Sequence, residues 1–183
     1  MRKSKWLICS ILSLALPASQ LFASGLQLGV TLPVLIKGKD PEGVHGYRGI
    51  IWYQPQSLIW PRFEIYFTGG FGHWWAHGAK TARSLNIYSV APVFRLYFKR
   101  YTYFSPFAEA SIGASYLSRT HFSDRNLGIH YSFQDELGIG TTIGKDKRFY
   151  VTLSALHYSN GSMASMNAGI TVPLVLNVGY RFS

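Results

Sequence analysis

The sequence predicts an all-β protein, an eight-stranded antiparallel transmembrane β-barrel of the outer-membrane type. First, the 183 residues are 48% hydrophobic and 16% aromatic but only 14% charged. Second, the mean hydropathy is only +0.07, so apolar residues alternate with polar ones instead of forming long blocks. Third, no run of eighteen apolar residues follows residue 23, which excludes a helical membrane span. Short alternating or aromatic-rich segments recur instead between turn residues.

The amino-terminal segment, residues 1–23, has the features of a secretory signal peptide. Basic residues near the start precede an apolar stretch over 6–16 that is too short to span a membrane. Ala23 is a small residue at the expected cleavage site. The only cysteine, Cys9, lies in this segment. We therefore predict a barrel over residues 24–183 that has neither a disulfide nor a cysteine-based metal site.

Eight alternating segments in the remaining chain are predicted to be strands. They cover residues 25–36, 46–54, 62–72, 85–98, 106–118, 128–143, 148–159 and 171–182. Eight is the smallest usual number of strands in an outer-membrane barrel. Antiparallel closure also removes the unpaired sheet edges that lipid cannot satisfy.

The connections between strands divide into two kinds when both termini are placed on the periplasmic side. The longer, polar connections are predicted to face outward, and they cover residues 37–45, 73–84, 119–127 and 160–170. The shorter ones are predicted to face inward, and they cover residues 55–61, 99–105 and 144–147.

Charge restricts the possible partners. The formal net charge is +10, and it falls to +7 without Arg2, Lys3 and Lys5 of the signal peptide. Basic residues in the outward connections are suited to pair with phosphorylated lipid, although a solvated loop surface explains any single one of them equally well. The chain has no basic helix and no nucleic-acid-binding motif, so nucleic acid is a poor partner.

No metal or cofactor site is predicted. His73 and His77 have a spacing that suits metal ligands on a helix, but the segment is predicted to be a loop or strand end without a third ligand. The chain also has no P-loop, no nucleophile elbow and no dinucleotide-binding fingerprint.

The carboxyl-terminal hairpin carries the candidate chemistry. Along 149–159 one face is apolar and ends in His157 and Ser159, because side chains alternate along a strand. Along 174–182 the even-numbered residues form an apolar, outward face. A hydroxyl and an imidazole two residues apart on one face are the minimal apparatus for nucleophilic acyl transfer.

The stretch His157-Tyr158-Ser159-Asn160-Gly161, with Asn167-Ala168-Gly169 and the final Gly179-Tyr180-Arg181-Phe182, resembles the PagL family of lipid A 3-O-deacylases. The segments SPFAEASIGAS and FQDELGIG extend the similarity. The resemblance implies an eight-stranded barrel in the outer membrane of a Gram-negative cell. It also implies a serine esterase without a cofactor that hydrolyses the 3-acyl ester of lipid A in lipopolysaccharide. His157 then corresponds to the family's base and Ser159 to its nucleophile.

The family's third catalytic residue does not carry over. The resemblance places the family's Glu twelve residues after the Ser, where this chain has Thr171. Thr accepts a hydrogen bond from imidazole but adds no charge, and loss of an orienting acid's charge costs roughly 10⁴-fold in turnover in a well-studied triad. Either the enzyme works as a dyad, another acid substitutes, or catalysis has been lost.

Asp135 is the candidate substitute. It has the parity of the apolar residues on its strand, and an unpaired acid on a lipid-facing surface is unfavourable. If a tight turn over 145–147 links the two strands, paired residue numbers sum to 292 and Asp135 lies opposite His157. A register slip or bulge would exchange it for Glu136 or turn Asp135 to the lumen.

For the oxyanion, the candidate donors are Asn160, the backbone around Gly161, and Asn167, although each is also an ordinary turn residue. Two alternatives to the esterase remain: a catalytically silent barrel with a structural or surface-interaction role, and a soluble lipocalin-like barrel, which the outward apolar faces oppose. The residues do not decide between a monomer and a homodimer.

Overall fold

The computed structural model describes residues 22–32, 43–76 and 82–182. Most of the predicted signal peptide and parts of two outward connections lie outside these residues, as does His77. No helix in the described part of the chain is long and apolar enough to span a membrane.

Eight of the ten strands in the described ranges form one closed antiparallel barrel, so the predicted fold class is confirmed. The barrel strands are β1 (Phe22–Thr31), β2 (Val44–Pro55), β3 (Phe63–Ala76), β4 (Ser84–Tyr97), β5 (Phe104–Leu117), β8 (Tyr131–Ile143), β9 (Phe149–Ser159) and β10 (Ile170–Arg181). Each follows its sequence neighbour around the wall, and β10 pairs with β1 to close it. Closure pairs the two edges that an open sheet would leave exposed.

The main differences from the predicted boundaries lie at β1 and in the third outward connection. β1 begins at Phe22, inside the predicted signal peptide, and ends at Thr31. The connection predicted as a loop over 119–127 contains a small hairpin of β6 (His121–Phe122) and β7 (Arg125–Asn126). A 3-10 turn, Gln56–Leu58, follows β2.

Side chains alternate between an apolar exterior and a mostly polar interior. On the outside, Leu28, Ile51 and Leu137 are 60%, 67% and 69% exposed. On the inside, Gln27 and Thr152 are among many buried polar residues. This alternation is that of a lipid-facing barrel wall.

The barrel interior has an apolar cluster at each end, and buried pairs of opposite charge. At the outer end lies an apolar group that we call the outer-end cluster: Trp74, Ala76, Leu85, Ile87, Leu117, Phe122, Leu127, Leu156, Tyr158, Ile170, Val172 and Val175. Below it, buried charges pair across the lumen. Arg48 contacts Glu136 through its two terminal guanidinium nitrogens, one of them at 2.9 Å, and Arg95 contacts Glu109 at 2.9 Å. Pairing of this kind offsets the desolvation of each charge.

A β-bulge divides β10. Val172 pairs with Leu156, whereas Val175 pairs with Ser154, so Pro173 and Leu174 together oppose the single Ala155. Pro173 has no backbone N–H to contribute to the ladder, and bulges are positions where proline is tolerated in a sheet. Because of the extra residue, each side chain between the bulge and the outer end of β10 faces the side of the barrel opposite to the one it would face in an unbroken strand.

Candidate active site

His157 and Ser159 lie on the outer surface of the barrel at the outer end of β9. His157 is exposed and Ser159 is half-buried, while their neighbours Tyr158 and Leu156 are buried in the outer-end cluster. The predicted apolar face that ends in a His and a Ser is therefore present and faces outward.

Thr171 makes the polar contact to the imidazole. Its Oγ1 lies 2.9 Å from His157 Nδ1, and the two residues are direct partners across β9 and β10. The bulge is the reason for this pairing. In an unbroken register, Val172 would oppose His157 and Thr171 would face the lumen.

Asp135 lies on the other side of His157. The two are direct partners across β8 and β9, in the register predicted from the tight turn. Within the described residues, no hydrogen bond or ion pair joins Asp135 to His157. Glu136 faces the lumen and pairs with Arg48, so it does not take the place of Asp135. Asp135, His157 and Thr171 therefore form one outward-facing row across three adjacent strands.

A small cavity of about 10 Å³ brings Ser159, Asn160 and Asn167 together, whereas Gly161 does not line it. It is lined by Ser159, Asn160, Asn167 and Gly169, with Leu117, Leu127, Tyr131, Ser132, Tyr158 and Ile170. This volume holds about one water-sized group. A Cβ added at Gly169 would lie 3.2 Å from His157 Cε1 and 3.6 Å from Nε2, so the absence of a side chain leaves this edge of the imidazole open.

The three candidate oxyanion donors differ in what they contact. The Asn160 side chain is buried, and its Nδ2 donates to the carbonyls of Leu127 and Met166 at 3.0 and 2.7 Å. Asn167 Oδ1 accepts from Asn160 N at 2.9 Å, and its Nδ2 has no partner among the described residues. Gly161 is exposed and has a positive φ of 62°. The Asn160 side chain is thus already used within the loops, which leaves Asn167 and the Gly161 backbone as accessible donors.

An apolar groove descends the outer wall from this row. It has a volume of about 670 Å³. Its floor is made of small side chains, including Ala108, Ala110 and Ala155, and its walls include Phe63, Phe94, Leu96, Leu137, Ile139, Leu153, Pro173 and Leu174. Ala155 lies two residues below His157 on the same face of β9, and Leu137 two residues below Asp135 on β8. The groove therefore lies directly below the row and reaches the level of the inner rim, where β3 begins at Phe63, and its lining includes none of the three row residues.

No group of three His, Cys, Asp or Glu side chains suitable for a metal ion occurs in the described ranges. His73 instead contacts Asn86, with Nδ1 2.6 Å from Oδ1.

Known proteins with a similar sequence identify the family. Residues 46–181 match the model of the family described as lipid A 3-O-deacylase (PagL). The chain belongs to this family. The lipid A deacylase PagL of Bordetella bronchiseptica is 29% identical over 189 residues, which cover 100% of this chain and 98% of that protein. The lipid A deacylase PagL of Pseudomonas aeruginosa is 32% identical over 119 residues, 65% of this chain and 64% of that protein.

One solved structure supports the PagL assignment, and a second shows the same fold. A crystal structure of the outer membrane enzyme PagL superposes with a TM-score of 0.66 at 25% identity, covering 85% of this chain and 98% of that one. Neisserial surface protein A superposes with a TM-score of 0.55 at 10% identity, covering 87% and 96%, which indicates a shared fold alone.

Sequence reasoning missed two features of this PagL-family site. The first is the bulge at Pro173, which brings Thr171 to His157; the proline within an alternating strand was the available signal. The second is the contact between the site and the preceding outward connection. It includes the hydrogen bond from Asn160 Nδ2 to Leu127 O, for which the sequence offered no signal.

Proposed function

We propose that this chain is a lipid A 3-O-deacylase, an esterase of the outer membrane that acts in the outer leaflet. The supporting observation is the outward-facing pair His157 and Ser159 above an apolar groove. A lipid's ester group at the membrane surface reaches such a pair directly, while its acyl chain lies along the groove. Membership of the PagL family supports the choice of lipid A, in lipopolysaccharide, as the substrate.

In the proposed mechanism, Ser159 Oγ attacks the carbonyl carbon of the 3-acyl ester while His157 Nε2 takes its proton. The intermediate then collapses, and His157 returns the proton to the departing sugar hydroxyl, which leaves the acyl chain on Ser159. Water attacks this acyl ester with His157 again as the base, and releases a fatty acid. The apparatus uses no cofactor or metal.

Thr171 orients the base in this mechanism. With Nδ1 donating to Thr171 Oγ1, the lone pair of the imidazole is on Nε2, where the mechanism needs it. Thr171 stands where the resemblance places the family's Glu, so this chain has an uncharged orienting group. Asp135 is the proposed source of negative charge, through its position beside His157 in the row.

Asn167 Nδ2 and the backbone N–H around Gly161 are the proposed oxyanion donors. Asn167 lines the same small cavity as Ser159. Donors fixed beside the nucleophile stabilise the charge that develops on the carbonyl oxygen.

The uncharged Thr171 favours one alternative, a catalytically silent barrel with a structural or surface-interaction role. Mass spectrometry of lipid A from cells expressing the parent chain or the Ser159→Ala variant separates the two. Loss of one hydroxyacyl chain in cells expressing the parent, but not in cells expressing the variant, supports the deacylase. Unchanged lipid A in both, with the barrel shown to be folded in the outer membrane, supports the silent barrel.

A further inference from the structure

The site loop, residues 160–169, is held by a neighbouring loop that carries none of the proposed catalytic groups. This second loop, residues 119–128, lies between β5 and β8 and contains the small hairpin. Asn126 O accepts from Ala168 N at 3.2 Å, and Arg125 Nη1 lies 3.3 Å from Gly169 O. The two loops therefore contact each other at Ala168 and Gly169, directly after Asn167.

Asn160 is the centre of this contact. Its side chain is 2% exposed and makes three hydrogen bonds. Nδ2 donates to Leu127 O in the second loop and to Met166 O in the site loop, and Oδ1 accepts from Ser162 N at 2.9 Å. The backbone N–H of Asn160 also donates to Asn167 Oδ1, which fixes the orientation of that amide.

Gly128 allows the two loops to approach closely. Its φ is +80°, a conformation that favours glycine. A Cβ added there would lie 2.2 Å from Met166 O and 3.0 Å from Asn160 Nδ2. Because Met166 O is a backbone atom, a side chain at 128 would displace the site loop.

We propose that Asn160 and Gly128 are positioning residues that clamp the site loop against the 119–128 loop, and so hold Asn167 and Gly161 beside Ser159. Asn160 thus acts through Asn167 and not as an oxyanion donor itself. The proposal rests on the proposed function for its effect on catalysis, although the clamp itself is a structural property that can be measured separately.

The test uses Gly128→Ala, Asn160→Asp and the double variant, with Gly144→Ala as the matched control. Gly144 has a φ of +90°, and a Cβ added there would meet no atom of the described residues within 4 Å. Its substitution therefore imposes comparable backbone strain away from the site. Asn160→Asp keeps the side chain's size but removes both Nδ2 hydrogen bonds. Folding of each barrel is checked by heat-modifiable migration in gels.

The first readout is amide hydrogen exchange at residues 160, 162 and 168, which does not depend on activity. We expect exchange there to be about tenfold faster or more in the two single variants and unchanged in the Gly144→Ala control. Unchanged exchange in Gly128→Ala would overturn the clamp, whether or not the parent protein deacylates lipid A.

The second readout is the turnover of purified lipopolysaccharide in detergent micelles. We expect each single variant to lower kcat about tenfold or more with little change in KM. The kcat of the double variant should be about that of the slower single variant, because both substitutions disrupt the same contact. Parent-like kcat in Gly128→Ala, or losses that multiply in the double variant, would contradict the proposal. Inactivity of the parent, or activity of Ser159→Ala, would contradict the proposed function instead.

Discussion

Replacement of Thr171 tests the orientation of the base most directly. Thr171→Val keeps the size of the side chain and removes the 2.9 Å contact to His157 Nδ1. A neutral hydrogen bond contributes about 1 kcal/mol, so we expect kcat to fall about fivefold. Thr171→Glu introduces a charged acceptor, and charge-assisted hydrogen bonds are roughly twice as strong. The gain of about 1 kcal/mol would raise kcat about fivefold above the parent.

The assay measures free hydroxy fatty acid released from purified lipopolysaccharide by mass spectrometry, with enzyme amounts matched by gel migration of the folded barrel. Thr141→Val is the control, because Thr141 lies on β8 toward the inner rim and its hydroxyl donates to the carbonyl of Thr142, away from the site. If Thr171→Glu is slower than the parent although the barrel is folded, or if Thr171→Val is as fast, the contact does not orient the base.

Three further outcomes are expected. Asp135→Asn should lower kcat by about fivefold or more because it removes the negative charge beside His157, and an unchanged rate of ester hydrolysis would reject that role. Ala110→Phe should raise KM severalfold by filling the groove floor, while labelling of Ser159 by a small fluorophosphonate stays at the parent rate. Glu136→Gln should lower the free energy of unfolding by about 3 kcal/mol in denaturant titrations, because Arg48 is left buried without its counter-charge.

Local patterns were sufficient to predict the barrel wall. Alternation along β9 placed His157 and Ser159 outward, and the tight turn after β8 gave the register that puts Asp135 opposite His157. A two-residue period and a short turn determine both results without knowledge of the rest of the chain.

The rest of the site depends on tertiary contacts. Pro173 is a local signal for a bulge, but it does not by itself determine the strand register on either side of it. The bulge on β10 lies opposite Ala155, and its position determines whether Thr171 or Val172 is the partner of His157. The role of Asn160 likewise depends on Leu127, which is 33 residues away in sequence. An asparagine in a turn next to a catalytic serine suggests an oxyanion donor until its actual partners are known.

The outer-end cluster has a consequence for the supply of water to the reaction. In the proposed mechanism, each turnover consumes one water molecule to release the acyl group from Ser159. Tyr158 and Leu156, on the inner side of the same strand, belong to the apolar packing that fills the described part of the lumen behind the site. Water therefore has to arrive from the hydrated headgroup layer above the membrane. The lifetime of the acylated serine would then depend on the water content of the headgroup layer, and thus on the packing of the surrounding lipopolysaccharide.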